Sequence, residues 1–231
     1  MIRARNLRAP HGLHDASFAL ESGLVALVGP NGSGKTTLLR ALAGLVRVEG
    51  ELDVAEDFAY LPQKLEFLGA MPVRDVVALG RAPHLGRLGR LSEKDMAAVA
   101  RAMEATATIA FAARPVGELS GGEQARVGLA RALASQAPIL LADEPTASLD
   151  ASAALDMMAR LKALPGLVAC AVHDLALAHH FADRVLVMSE GCLVADGGSE
   201  VLEGDIVESV FGVRPPRRGW QIAQAVAKSG V

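Results

Sequence analysis

A chain of 231 residues, 51% hydrophobic, with 26 acidic side chains against 23 lysines and arginines and a formal net charge of −3, has room for one α/β domain with a sizeable core and is short for two. Mean hydropathy is high at +0.30, yet charges interrupt every apolar stretch before the roughly 20 residues that cross a bilayer, and MIRARNLRAP lacks the apolar run of a secretory leader. The acidic balance and 3% aromatic content argue against a nucleic-acid binder, and Cys170 and Cys192 alone supply neither a disulfide framework nor a clustered zinc site.

In chain order, the first clear element is the apolar run Leu24–Val28, a strand, and TTLLRALAGL from Thr36 to Leu45 reads as a helix. Between them Gly29-Pro30-Asn31-Gly32-Ser33-Gly34-Lys35-Thr36 satisfies G-x-x-x-x-G-K-[ST] in the strand, loop, helix context that gives the pattern meaning. Gly32 and Gly34 let the backbone wrap so that amides from Gly32 to Thr37 face phosphate oxygens at a helix N-terminus. Lys35 is expected to reach the β- and γ-phosphates and the Thr36 hydroxyl to hold Mg2+. The expected ligand is a nucleotide, although kinases, GTPases and motor ATPases share such a loop.

Further on, residues 92–107 form a helical pattern with Met96, Val99, Ala100 and Met103 on one face and Ser92 with Asp95 as a capping pair. A helical lobe inserted over residues 68–124 is the expectation, with the arginines near 81–90 and 214–218 as solvated or interface charge. Leu119-Ser120-Gly121-Gly122-Glu123-Gln124 precedes the amphipathic run ARVGLARAL, so Ser120, Gly121 and Gly122 offer a hydroxyl and bare amides at another helix N-terminus. A chain with its own phosphate loop has little need of a second phosphate surface unless it serves a nucleotide held by a neighbouring copy.

Pro138 then introduces the strand Ile139–Asp143, whose apolar run ends in Asp143 and Glu144. Neither acid is tolerated in an apolar core without a cation or proton, and at the carboxyl end of a parallel strand Asp143 faces the ligand crevice, where it can hold Mg2+ through a water. Glu144, one residue on, is suited to orient and deprotonate an attacking water. Residues 167–172 read as a third strand, 186–197 as two strands around a Glu190-Gly191 turn, and 199–212 as a closing helix. Strands alternating with helices imply a parallel sheet covered on both faces.

These motifs resemble the nucleotide-binding domain of ABC transporters, whose LSGGQ signature stands here as LSGGE. In the family's order, Tyr60-Leu61-Pro62-Gln63 looks like the Q-loop, Ser148-Leu149-Asp150 like the D-loop and Val172-His173-Asp174 like the switch histidine. The resemblance implies an α/β fold: a P-loop NTPase (RecA-like) core with a parallel sheet, a small antiparallel β part and an inserted helical subdomain, as one domain over residues 1–231. It implies ATP and Mg2+, the phosphates cradled by Gly29 to Thr37. Two copies would pack head to tail, each ATP held by Lys35 and Thr36 of one and by Ser120, Gly121 and Gly122 of the other. Glu144 would act on water, Gln63 and Asp143 around Mg2+, His173 on the γ-phosphate, and Asp150 would couple the sites. Integral-membrane permease subunits would dock near the Q-loop and helical lobe, with a substrate-binding protein in the complex and no nucleic acid. That places the chain at the cytoplasmic face of a bacterial inner membrane.

The sequence departs from the family where an aromatic residue usually stacks on adenine: RAPHGLHDASF offers Arg8, His11 and His14. For cargo, LGRAPHLGRL, the SEKD helix and IVESVFGV look like ATPases of iron-chelate, haem and cobalamin importers. The 28 positions from Lys35 to Gln63 and the compact VEGELDVAEDFAYLPQKL look more like those of zinc and manganese importers. A soluble ABC ATPase acting on ribosomes or DNA is the alternative, and such proteins usually carry two nucleotide domains or a long coiled coil. A P-loop kinase or GTPase gives no reason for LSGGE.

Overall fold

The computed structural model describes residues 1–10, 12–54, 57–64, 66–85, 89–213, 215 and 220. His11, Arg87 and most of the 214–218 segment therefore lie outside the described residues. The strands are β1 (Ile2–Ala9), β2 (Leu13–Leu20), β3 (Gly23–Val28), β4 (Glu49–Val54), β5 (Phe58–Leu61), β6 (Ile139–Asp143), β7 (Leu167–Ala171), β8 (Arg184–Ser189) and β9 (Cys192–Gly197), and they join in the order β4-β1-β2-β9-β8-β3-β7-β6-β5. From β8 to β5 the pairs are parallel, whereas β1 pairs antiparallel with β2 and β4, and β8 with β9.

The helices are α1 (Lys35–Leu42), α2 (Val73–Ala78), α3 (Glu93–Ala105), α4 (Gly121–Ala134), α5 (Ala151–Lys162), α6 (Leu175–Phe181) and α7 (Asp205–Phe211). The central strands are buried on both sides, and their side chains alternate between two cores. Leu24, Ala26 and Val28 of β3 and Leu140 and Ala142 of β6 join Met157 and Leu161 of α5 and Leu177 of α6. Val25 and Leu27 of β3 and Ile139 and Leu141 of β6 face Leu38, Leu39 and Leu42 of α1. Asp143 continues the odd-numbered set of β6, so it emerges on the α1 side.

A third core joins Val73, Val76 and Val77 of α2, Val99, Ala102 and Met103 of α3, and Val127, Ala130 and Ala134 of α4. Leu129 and Ala132 of α4 enter the sheet core instead, so α4 packs on both bodies. The capping box at Ser92 and Asp95 is present, but the buried face of α3 is Asp95, Ala98, Val99, Ala102 and Met103, and Met96 is 54% exposed. The expected face is thus rotated by about one position. The cause is Arg81, 4% exposed rather than solvated, whose guanidinium sits 2.8 Å from Asp95 and 2.9 Å from the Ala134 carbonyl. A buried guanidinium needs a paired carboxylate, which turns Asp95 inward.

Local signals account for other boundaries. The first helix ends at Leu42, because Gly44 takes φ +65, a left-handed stop. Residues 199–212 form two pieces, a 3₁₀ segment Ser199–Glu203 and α7, broken at Gly204. Glu190 and Gly191 have φ of +47 and +78, the paired positive values of a tight hairpin turn. Cys170 and Cys192 are free thiols, and burial pushes the Cys170 thiol up. Among the described residues no helix is long and apolar enough to cross a membrane.

Candidate functional site

The phosphate loop links β3 to α1 and rests on two other turns. Gly29, Gly32 and Gly34 have positive φ, and a methyl on Gly34 would lie 2.2 Å from the Gly12 carbonyl oxygen. The Gly191 amide donates to the Ser33 carbonyl at 3.1 Å. The turns after β1 and β8 therefore hold the loop closed from outside. Asn31 to Thr37 and Glu144 line a cleft of about 180 Å³. Lys35 is 4% exposed, and its Nζ donates to the Gly29 and Pro30 carbonyls at 2.8 and 3.0 Å. Burial pushes its ammonium pKa down, against the pull of the Glu144 and Asp143 carboxylates. Among the described residues the buried Ser33 hydroxyl has no hydrogen-bond partner.

At the end of β6 the two acids part. Asp143, 2% exposed, accepts from the Thr36 hydroxyl on Oδ1 at 2.9 Å and from the Tyr60 hydroxyl on Oδ2 at 3.2 Å. Glu144 leaves the strand with φ +50, an unfavourable conformation for a non-glycine residue that costs about 1–3 kcal/mol and concentrates at functional sites. Its two oxygens meet Gln63 Nε2 and His173 Nε2, each at 2.5 Å. Gln63 and His173 thus converge on Glu144 from β5 and β7. The structure brings Gln63 to Glu144 rather than into hydrogen bonding with the Thr36 and Asp143 pair.

Ser120 caps α4 through a full box: its amide and hydroxyl both donate to Glu123 Oε2 at 2.8 Å, and the Glu123 amide donates back to the hydroxyl. These bonds hold the Glu123 carboxyl below its usual range. Gly121 borders a small cavity of about 170 Å³ with Gln63, Glu144 and Ser148. Ser120, Gly121 and Gly122 open onto a groove of about 1080 Å³ shared with Asp150. None of the three lines the phosphate-loop cleft of its own chain. Asp150 caps α5 by accepting from the Ala153 amide at 2.8 Å. Beside the loop, Arg8, Ala9, Pro10, Leu13, His14 and Glu49 line a cleft of about 370 Å³, with no Phe, Tyr or Trp among these described lining residues.

This arrangement can cradle phosphates on backbone amides and a lysine, and places a hydroxyl and a carboxylate together where a cation would sit. The family model for ABC transporters matches residues 13–147. The chain belongs to the ABC transporter family. A hemin import ATP-binding protein of Streptomyces coelicolor is 44% identical to it over 206 residues, 81% of this chain and 73% of that protein. A cobalamin import ATP-binding protein of Halobacterium salinarum is 41% identical over 223 residues, which cover 87% of this chain and span 55% of that longer protein. Among solved structures, an inward-facing metal-chelate type ABC transporter matches with TM-score 0.85 over 92% of this chain and 89% of that one at 24% identity, a likeness of fold. ABC transporter ATP-binding proteins are ATPases coupled to transport, and this chain is one of them.

Proposed function

We propose that the chain powers import of a metal chelate of the haem, cobalamin or siderophore class, as one of two head-to-tail copies docked on separate permease subunits at the cytoplasmic face of the membrane, with a substrate-binding protein in the complex. The observation that carries the paired arrangement is the separation of the two phosphate-type surfaces. Ser120, Gly121 and Gly122 line a groove that none of the phosphate-loop residues line, and none of the three lines the phosphate-loop cleft, which supports a nucleotide held between the loop of one copy and the signature of the other. The cargo class is supported by the relatives above, named for hemin and cobalamin import, and by an iron(3+)-hydroxamate import ATP-binding protein of Bacillus subtilis, 33% identical over 86% of this chain.

Thr36 and Asp143 would hold Mg2+, for which a buried carboxylate and a hydroxyl are suitable hard oxygen donors. The bound ion would supply charge neutralisation at the phosphates. Gly29 to Thr37 bind and orient the triphosphate, and Lys35 brings a desolvated positive charge to it. Glu144 takes the proton of the attacking water, held in place by Gln63 and His173, and His173 faces the γ-phosphate. Catalysis of this kind is positioning and electrostatics above all. Ser120, Gly121 and Gly122 of the second copy close the site, and Asp150 couples the two. The cleft that Arg8 and His14 line beside the loop is the surface this reading gives to the nucleobase, with no stacking residue assigned.

The test is capture from native membranes with tagged Glu144→Gln and ATP, a variant that should bind nucleotide and turn it over slowly, followed by mass spectrometry. A polytopic permease among the retained proteins supports the reading and names the complex whose chelate uptake is then assayed. Ribosomal or DNA-repair proteins alone would overturn it.

A further inference from the structure

Tyr60 is the only tyrosine of the chain, and the site described above gives it no role. It lies on β5 opposite Leu141 of β6, packs against the core beneath α1, and carries its hydroxyl to Asp143 Oδ2 at 3.2 Å. Asp143 Oδ1 is meanwhile taken by Thr36 at 2.9 Å. Each oxygen of this buried carboxylate thus has one named partner, and the two partners lie on opposite edges of the group. The two oxygens of an ionised carboxylate are equivalent, so what the Thr36 and Tyr60 contacts fix together is the plane of the group, which one contact alone leaves free to turn about the Cβ–Cγ bond.

The same short segment makes a second contact. Gln63, three residues after Tyr60, bonds to Glu144, the next residue after Asp143. Two adjacent acids are therefore gripped by two side chains of one segment, with Pro62 stiffening the link between them.

We propose that Tyr60 is a positioning residue for the cation: together with Thr36 it holds the plane of the Asp143 carboxylate, and it ties the segment carrying Gln63 to the cation-holding end of β6. This rests on the reading that Thr36 and Asp143 hold a divalent cation. Partners that orient a metal-binding carboxylate typically change metal affinity 10- to 100-fold when removed. A neutral phenol at 3.2 Å belongs at the lower end.

Because Tyr60 stands alone, global incorporation of 3-fluorotyrosine gives the whole chain a single ¹⁹F resonance. With ADP saturating, titration of Mg2+ should move that resonance, and Asp143→Asn should abolish the movement. In parallel, Mn2+ binding at saturating ADP is followed by the free-ion EPR signal, with the ADP-only curve subtracted. Tyr60→Phe, which keeps the ring in the core, should weaken Mn2+ about tenfold while the melting temperature stays close to that of the unsubstituted chain. Tyr60→Trp, which fills the site without a hydroxyl there, should weaken it similarly. An unmoved resonance, or wild-type Mn2+ affinity in Tyr60→Phe while Asp143→Asn loses it, would overturn the role of Tyr60 and leave the cation site standing. Unchanged affinity in Asp143→Asn would overturn the cation site itself, and the proposal with it.

Discussion

Two glycines of the phosphate loop separate backbone strain from contact. Gly32 and Gly34 have φ of +78 and +100, so alanine at either pays the cost of a left-handed L-residue, about 1–3 kcal/mol. Their surroundings differ. A methyl on Gly32 meets nothing within 4 Å, whereas on Gly34 it would stand 2.2 Å from the Gly12 carbonyl oxygen and 3.4 Å from Gly191 Cα. Ordinary carbon–oxygen approach is about 3.3 Å, so the turn after β1 must retreat by about 1 Å, and such overpacking adds about 1–3 kcal/mol. At about 2–4 °C per kcal/mol for a domain of this size, Gly34→Ala should melt about 2–12 °C below Gly32→Ala, measured by circular dichroism without nucleotide. Because Lys35 follows directly, Gly34→Ala should also lose nucleotide binding. Equal melting temperatures for the two variants would refute the claim that the turn after β1 braces the loop.

Separately purified Lys35→Ala and Ser120→Arg chains should each be inactive, yet mixing them should restore hydrolysis to about a quarter of the unsubstituted rate, since half the dimers then contain one intact composite site of two; no recovery in a phosphate-release assay would place both residues in one chain's site. Asp95 is held down to about 2 by the Ser92 hydroxyl and amide and by Arg81. A depressed folded-state pKa gives stability that is full above the unfolded value and lost as pH falls through the folded one. Asp95→Asn should therefore have a lower urea midpoint at pH 6, and the gap should narrow between about pH 4 and pH 2; a gap independent of pH would sink the assignment. With no Phe, Tyr or Trp on the described lining of the Arg8 and His14 cleft, the roughly 1–3 kcal/mol of aromatic base stacking is missing, so kcat/KM for GTP should lie within about tenfold of that for ATP. A hundredfold preference for ATP in a competition assay would contradict this.

The residues that the sequence made legible are those whose meaning is local. The phosphate loop lies between adjacent strand and helix, the capping box at Ser92 spans three residues, and the Glu190-Gly191 turn needs only its own backbone. The later motifs named the family by resemblance and by their order, since each is too short to carry meaning alone. What tertiary structure decided are the contacts between distant segments. The inward face of α3 follows from Arg81, whose burial no helical pattern records, since a positive charge reads as surface until a carboxylate is brought to it. Tyr60 and Asp143 are 83 positions apart and meet only because β5 and β6 pair in parallel. Gly34 needs its missing side chain because Gly12 comes to it from another turn. Alternation along β6 sends Asp143 toward α1, and the left-handed turn at Glu144 sends the next acid to Gln63 and His173. Two adjacent letters of one motif thereby take different partners, which is a property of the sheet's register and of the elements that cover it.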